Sequence, residues 1–294
     1  MRCRNALLRL DQLRTGELDA VESSRVEDHC QTCRTCGESL DEISQFAGTV
    51  QSALRHEHHA HGAVTDRFDE VVTKAGNAWV VFSDRGVRLI IREIESEEAL
   101  RRRYMASTGR LLARASLPEE DHAQIANALT GGETDAKANC DLSGLPPFER
   151  KVLEALASIP RGEVRPYAWV ARQVGRPRAV RAVGNAVAKN PLAPVIPCHR
   201  VVPTAGGVGN YALGTAMKRD LLQREGVEVE ELERYAKERV RYVGTDDQRV
   251  FCFPTCVVAR NASGQERVTF RDEQEAFKRG YSPCTLCLPF SLSA

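Results

Sequence analysis

The stretch YAWVARQVGRPRAVRAVGNAVAK, from Tyr167 to Lys189, decides how the centre of this chain folds. Tyr167 to Val174 reads as a short helix, and Gly175-Arg176-Pro177 stops it because glycine permits a tight turn and proline cannot continue a helix. Arg178 to about Lys189 reads as a second helix, with Val180, Val183 and Val187 on one face and Arg181 on the exposed side. Two short helices joined by a tight glycine-containing turn form a helix-turn-helix signature. The charge around it is one-sided. Arg161, Arg165, Arg172, Arg176, Arg178, Arg181, Lys189 and Arg200 share the segment with a single acid, Glu163, in a chain whose net charge is only +1. A basic segment inside a nearly neutral protein predicts a local polyanion site.

Downstream lies PVIPCHRVVP, Pro194 to Pro203, where Cys198 is followed at once by His199 and Arg200 inside a proline-fenced apolar run. A thiol attacks as its thiolate, so it needs a depressed pKa or a nearby base. Adjacent side chains on an extended segment point to opposite sides, so contact between Cys198 and His199 requires a turn or a bridging water. Glu225, in LLQREG, is a candidate to orient the imidazole, although spacing alone does not select it. Upstream, Phe148, Val152, Leu153, Leu156 and Ile159 keep a helical spacing until Pro160. WVVFSDRGVRLIIREI, from Trp79, predicts two strands around a Ser83–Gly86 turn, and helical patterns follow at Glu97–Tyr104 and Glu119–Leu129. GGETDAKANC, Gly131 to Cys140, reads as loop, and EVEELERYAKERVRYVG, from Glu228, as a charged helix.

The bulk numbers exclude several classes. A chain of 294 residues, 42% hydrophobic and 28% charged, predicts a soluble protein of two or three domains. No apolar run approaches the roughly 20 residues that span a bilayer, so no membrane partner is expected. MRCRNALLRLDQLR carries charges through its apolar positions and lacks the core of a signal peptide, which predicts a cytoplasmic location. Ten cysteines in a long chain of this kind point to metal or catalysis rather than to disulfides. Cys3, Cys30, Cys33 and Cys36 cluster at one end and Cys252, Cys256, Cys284 and Cys287 at the other.

The block from Pro146 to Gly226 resembles the O6-alkylguanine-DNA alkyltransferases, the methylated-DNA–protein-cysteine methyltransferases. IPRGEVRPY, RAVGNAVAKNP, IPCHRVV, GNY and LLQREG carry the resemblance in order, and it continues more loosely upstream to about Phe68. It implies that Cys198 accepts the alkyl group, that His199 acts as its water-relayed base and that Glu225 orients His199. It implies that Asn190 hinges the recognition helix to the active-site segment, and that Arg181 fills the gap left by a flipped guanine. Tyr167 then crowds the phosphate 3′ to the target and donates a proton near guanine N3, while Tyr211 lies on the loop closing the pocket. Arg178 and Arg200 are expected on the DNA face. Arg165-Pro166 departs from the small polar residue usual before the tyrosine, and Ala212-Leu213 departs from a Ser- and Gly-rich loop, which would narrow the range of alkyl groups accepted.

Cys252-x3-Cys256 and Cys284-x2-Cys287 supply four thiolates in two short-spaced pairs, a tetrahedral zinc pattern. VFCFPTC with AFKRGYSPCTLCLP resembles the metal-binding domain of the Ada adaptive-response proteins. That resemblance makes Cys252 a candidate second methyl acceptor, from DNA methylphosphotriesters. Phe253, however, replaces the arginine of that family's motif, and a structural zinc is favoured. At the other end His29-x3-Cys33-x2-Cys36, completed by Cys3, resembles the zinc finger of anti-sigma factors, with Cys30 as an extra thiol.

The expected fold is α+β and multidomain: a finger over 1–42, a linker over 43–66 that includes the histidine run His56–His61, a strand-bearing domain over 67–142, a DNA-binding and catalytic domain over 143–227, a helical spacer over 228–241 and a four-cysteine zinc domain over 242–294. The expected function is single-turnover repair of O6-alkylguanine, with O4-alkylthymine as a further candidate, in double-stranded DNA. Zinc is expected in each cysteine module, with no organic cofactor. The rival is an alkylation- or redox-responsive regulator whose finger binds a sigma factor or another transcription protein.

Overall fold

The computed structural model describes all residues except 1–2, 8, 16–17, 41–64, 93, 133–138, 246–248, 262–266 and 290–294. The expected linker, with its histidines, lies outside the described residues apart from its last two positions, and so does most of the Gly131–Cys140 loop. The chain divides into two compact units, residues 1–65 with 96–112, and residues 66–95 with 113–294.

In the first unit α1 (Cys3–Leu7), α2 (Leu10–Thr15) and α3 (Ala20–Thr32) bury Ala6, Leu10, Val26 and Cys30 together with Cys36. Asp19 caps α3 by accepting the Glu22 backbone N–H at 2.7 Å, which satisfies one of the orphan donors of the first turn. Helix α4 (Glu97–Thr108) begins at Ser96, which accepts the Ala99 N–H at 3.2 Å, and ends at Gly109 in the left-handed region. It runs one turn beyond the expected end at Tyr104.

A four-stranded sheet of order β3-β2-β1-β4 is made by β1 (Thr65–Thr73), β2 (Gly76–Ser83), β3 (Gly86–Ile91) and β4 (Leu111–Arg114). The expected hairpin is β2–β3; β1 and β4 are additions that the sequence pattern does not announce. Helices α5 (Glu119–Leu129) and α6 (Pro147–Ala157) follow, and α6 buries Val152, Leu153 and Leu156 as its spacing requires. A short strand β5 (Arg165–Pro166) leads into α7 (Tyr167–Gln173), Gly175 turns the chain at φ 73°, and α8 (Val180–Ala188) completes the helix pair. β5 pairs in parallel with β6 (Val201–Val202), and α9 (Thr215–Arg224) and α10 (Val229–Glu238) come next.

Helix α10 does not continue toward Gly244 as its charge pattern suggests. Arg239 takes the left-handed conformation at φ 60°, and Tyr242 opens β7 (Tyr242–Thr245). Its Val229, Leu232 and Tyr235 are buried, so the apolar face determines its place and it packs rather than spaces. The last segment forms a second four-stranded sheet of order β10-β8-β7-β9, from β7, β8 (Val250–Cys252), β9 (Val268–Phe270) and β10 (Ser282–Pro283), with α11 (Val257–Asn261) and α12 (Glu273–Lys278). One continuous core joins Val152, Val170, Val183 and Val201 to Tyr242, Phe251, Cys256 and Phe270. The fold is thus mixed α and β, with a cysteine module toward each end. Among the described residues no helix is long and apolar enough to cross a membrane.

Candidate active site

Cys198 lies in a 3-10 turn, Cys198–Arg200, between a proline-rich approach and β6. The turn is wholly buried, with Cys198 only 4% exposed. Asn190, two residues beyond α8, fixes its entry: the Asn190 Nδ2 donates to Ile196 O at 2.8 Å, and its Oδ1 accepts the Leu192 N–H at 3.0 Å. The first of these bonds ties the end of the second helix to the thiol segment, and the second is local to the turn at Asn190. Across the pocket, Tyr211 Oη lies 3.5 Å from Cys198 Sγ. On the loop before Tyr211, Gly209 packs against Pro203, where a Cβ would fall 2.4 Å from Pro203 Cγ, and its φ is +71°.

Behind the thiol, His199 Nε2 and Glu225 Oε1 are 2.9 Å apart. Burial alone would raise the Glu225 pKa, but hydrogen bonds from His199 and Arg200 hold it down to about 2, so it is a carboxylate that accepts. The imidazole consequently carries its proton on Nε2, and its Nδ1 holds a lone pair. That Nδ1 is buried and has no hydrogen-bond partner in the protein. Burial lowers the His199 pKa against the pull of Glu225, which leaves a neutral ring ready to take a proton. Cys198 itself is pushed up by burial, opposed by hydrogen bonding to Tyr211 and Asn190 and by the charge of Lys218. A buried thiol of this kind is protonated at rest and requires a base.

Arg200 corrects an expectation. It is 2% exposed, its Nε and Nη2 reach Glu225 at 2.9 and 2.8 Å, and its Nη1 donates to Ile159 O at 2.7 Å. A guanidinium so engaged cannot also meet a phosphate; it locks Glu225 behind His199. Arg178 and Arg181, by contrast, are exposed around the start of α8. Tyr167 begins α7 half-buried, and burial followed by the proximity of Cys198 raises its pKa, so its phenol is neutral.

Sequence reading missed Lys218. It is 1% exposed, donates to Val201 O at 2.6 Å and to Asn210 O at 3.4 Å, and burial lowers its pKa to about 8. It ties the strand after Cys198 to the loop before Tyr211. Its neighbours in TAMKRDLLQR look like an ordinary polar helix face, so no pattern singles it out.

The metal candidates also gather as spaced. The ligand atoms of Cys252, Cys256, Cys284 and Cys287 lie within 4.8 Å of one another, all four residues buried. Four buried thiols in mutual contact suit tetrahedral ligation, with metal–sulfur bonds of about 2.3 Å. Cys3, His29, Cys33 and Cys36 form a second such group, in which His29 Nε2 is a buried nitrogen with no partner. Cys30 stays outside that group and packs in the core of the first unit.

The family profile described as the 6-O-methylguanine DNA methyltransferase DNA-binding domain matches residues 147–227. That of the metal-binding domain of Ada matches residues 234–289, so the C-terminal module is an Ada-type zinc domain. A methylated-DNA–protein-cysteine methyltransferase of Salmonella typhimurium is 36% identical over 170 residues, covering 54% of this chain and 94% of that protein. One of Mycobacterium bovis is 44% identical over 100 residues, 34% of this chain and 60% of that protein. The crystal structure of Mycobacterium tuberculosis OGT in complex with DNA aligns at 29% identity with a TM-score of 0.43, over 55% of this chain and 92% of that one. On the identity and near-complete coverage of the Salmonella relative, this chain belongs to the methylated-DNA–protein-cysteine methyltransferases.

Proposed function

We propose that the protein repairs alkylated DNA by moving the alkyl group of O6-alkylguanine onto Cys198, once per molecule. The observation that carries the reading is the buried line of Cys198, the unpartnered Nδ1 of His199 and the Glu225 carboxylate behind it. A base inside a duplex cannot reach a buried thiol, so it is rotated out, at a cost of roughly a few kcal/mol. In this reading Arg181, exposed on the first turn of α8, fills the gap, and Arg178, also exposed, holds phosphate. The Cys198 proton passes through a bridging water to His199 Nδ1, and Glu225 stabilises the imidazolium that results. The sulfur forms a bond to the O6-alkyl carbon as the carbon–oxygen bond breaks, and the departing guanine is protonated by the neutral phenol of Tyr167. Tyr211 Oη stands 3.5 Å from the sulfur, and its hydrogen bond and the charge of Lys218 both favour the thiolate. The thioether has no second nucleophile to release it, so the protein is consumed.

The same reading assigns the C-terminal sheet and its four cysteines as a structural zinc domain, and one zinc to Cys3, His29, Cys33 and Cys36. Cys252 is 1% exposed, which argues against methyl capture from a phosphotriester. Neither the described residues nor the relatives support a sigma-factor partner. The proposal is tested by Cys198→Ala: this variant should still bind methylated duplex and transfer nothing, and residual transfer would refute it.

A further inference from the structure

Both cysteine pairs of the C-terminal module are anchored on one short segment of the catalytic fold, residues 163–172. In the first pair, Thr255 Oγ1 accepts the Val164 N–H at 2.8 Å, and the Val257 N–H donates to Glu163 Oε1 at 2.9 Å. In the second, the Cys287 carbonyl accepts the Trp169 indole N–H at 3.0 Å, and Pro289 O accepts Arg172 Nη2 at 2.9 Å. Arg165 lies between the two sets. Its guanidinium stands 5.5 Å from the Phe253 ring and 5.7 Å from the Trp169 ring, pairs with Glu163 and donates to Val164 O at 2.9 Å. Arg165 and Glu163 are 3% and 2% exposed. A buried cation is costly unless its charge is paired or hydrogen-bonded, and the two aromatic faces add to the pairing of Arg165 with Glu163, so this contact is specific rather than incidental. Arg165 and Phe253 are also two of the places where the sequence leaves the patterns it otherwise resembles, and here they meet.

The segment they hold is the one that carries the chemistry. Tyr167 lies between the anchors at 163–165 and those at 169–172. β5, which contains Arg165, pairs with β6 immediately after the Cys198–Arg200 turn. We propose that the C-terminal module is a metal-set clamp on β5 and α7. Metal held by Cys252, Cys256, Cys284 and Cys287 fixes both cysteine pairs, and through Arg165 and Trp169 keeps Tyr167 and the first helix of the DNA-binding pair in register with Cys198. Loss of the metal unties the pairs from each other and loosens α7. Only the consequence for repair rests on the function proposed above; the clamp itself is read from the order of α7.

The test is hydrogen exchange on the full chain, with zinc content and transfer to Cys198 measured on the same samples. Phe253→Ala and Thr255→Val should keep their zinc yet speed exchange of the Val170 and Ala171 amides by about tenfold or more, since those amides then open locally. Cys284→Ser should lose one zinc equivalent and speed the same amides further, with duplex repair slowed in step. Unchanged α7 exchange in Cys284→Ser that has lost its zinc would overturn the clamp. Should that variant not fold, unchanged α7 exchange in both Phe253→Ala and Thr255→Val overturns it equally. A wild-type protein whose α7 order follows zinc but which never alkylates Cys198 would refute the proposed function and leave the clamp standing.

Discussion

Replacing Glu225 with glutamine leaves the shape of the site and removes its charge. Glu225 sits at the C-terminal end of α9 and receives Arg200 at 2.8 and 2.9 Å, His199 at 2.9 Å and the Gly162 N–H at 3.4 Å. Its pKa, ordinarily 4.5, falls to about 2 in the fold. By linkage, that depression corresponds to roughly 3 kcal/mol of stability at neutral pH. An independent route gives a similar figure: removing one partner of a buried ion pair costs about 3–5 kcal/mol, and Arg200 would be left buried and uncompensated. For a unit of this size, about 2–4 °C of Tm per kcal/mol makes the loss roughly 6–12 °C at pH 7. The folded pKa lies below the unfolded one, so this stability is present above pH 4.5 and is lost as the pH falls toward 2. Wild type and Glu225→Gln should therefore converge in thermal scans run at successively lower pH. Single-turnover transfer should also slow, by about 10²-fold or more if the orienting carboxylate carries the base. A variant within about 1 kcal/mol of wild type at pH 7, or a gap independent of pH, would refute the burial and pairing assigned to Glu225.

Lys218→Met should slow transfer and move its pH dependence upward, because a cation beside the thiol is gone. Since the Lys218 pKa falls from 10.5 to about 8, the unfolded chain binds more protons between those values, and wild-type stability should rise with pH there while the variant's should not. Arg181→Ala should weaken repair of duplex DNA far more than reaction with free O6-benzylguanine and leave Tm unchanged, as the residue is exposed; equal losses on both substrates would give Arg181 another role. Metal analysis should find about two zinc ions per chain, and His29→Ala should lower that by about one without slowing Cys198; an unchanged zinc content would remove His29 from the ligand set.

The helix pair, the thiol motif and both cysteine groups were legible because each rests on local spacing. Val180, Val183 and Val187 mark one helical face whatever surrounds them, and two short Cys pairs announce a common ion. What was not legible depends on partners distant in sequence. β1 was hidden because Asp66, buried at 1% exposure, breaks the apolar alternation, and its partner Arg88 lies on β3. Arg200 reads as a surface cation until Glu225 and the Ile159 carbonyl meet it inside. Helix α10 reads as a charged spacer because its buried face holds only Val229, Leu232 and Tyr235 among many acids and bases. Arg165 and Phe253 were visible as departures, but the reason for both appears only when the C-terminal sheet folds back onto α7.

In the proposed function Cys198, and no other thiol among ten, takes the alkyl group once. The most direct measurement is intact mass and peptide mapping after incubation with an excess of duplex containing O6-methylguanine. A single added methyl on the Cys198 peptide is expected, with a reaction that stops at one repaired lesion per chain. A methyl mapped to another cysteine, or several lesions repaired per chain, would contradict it.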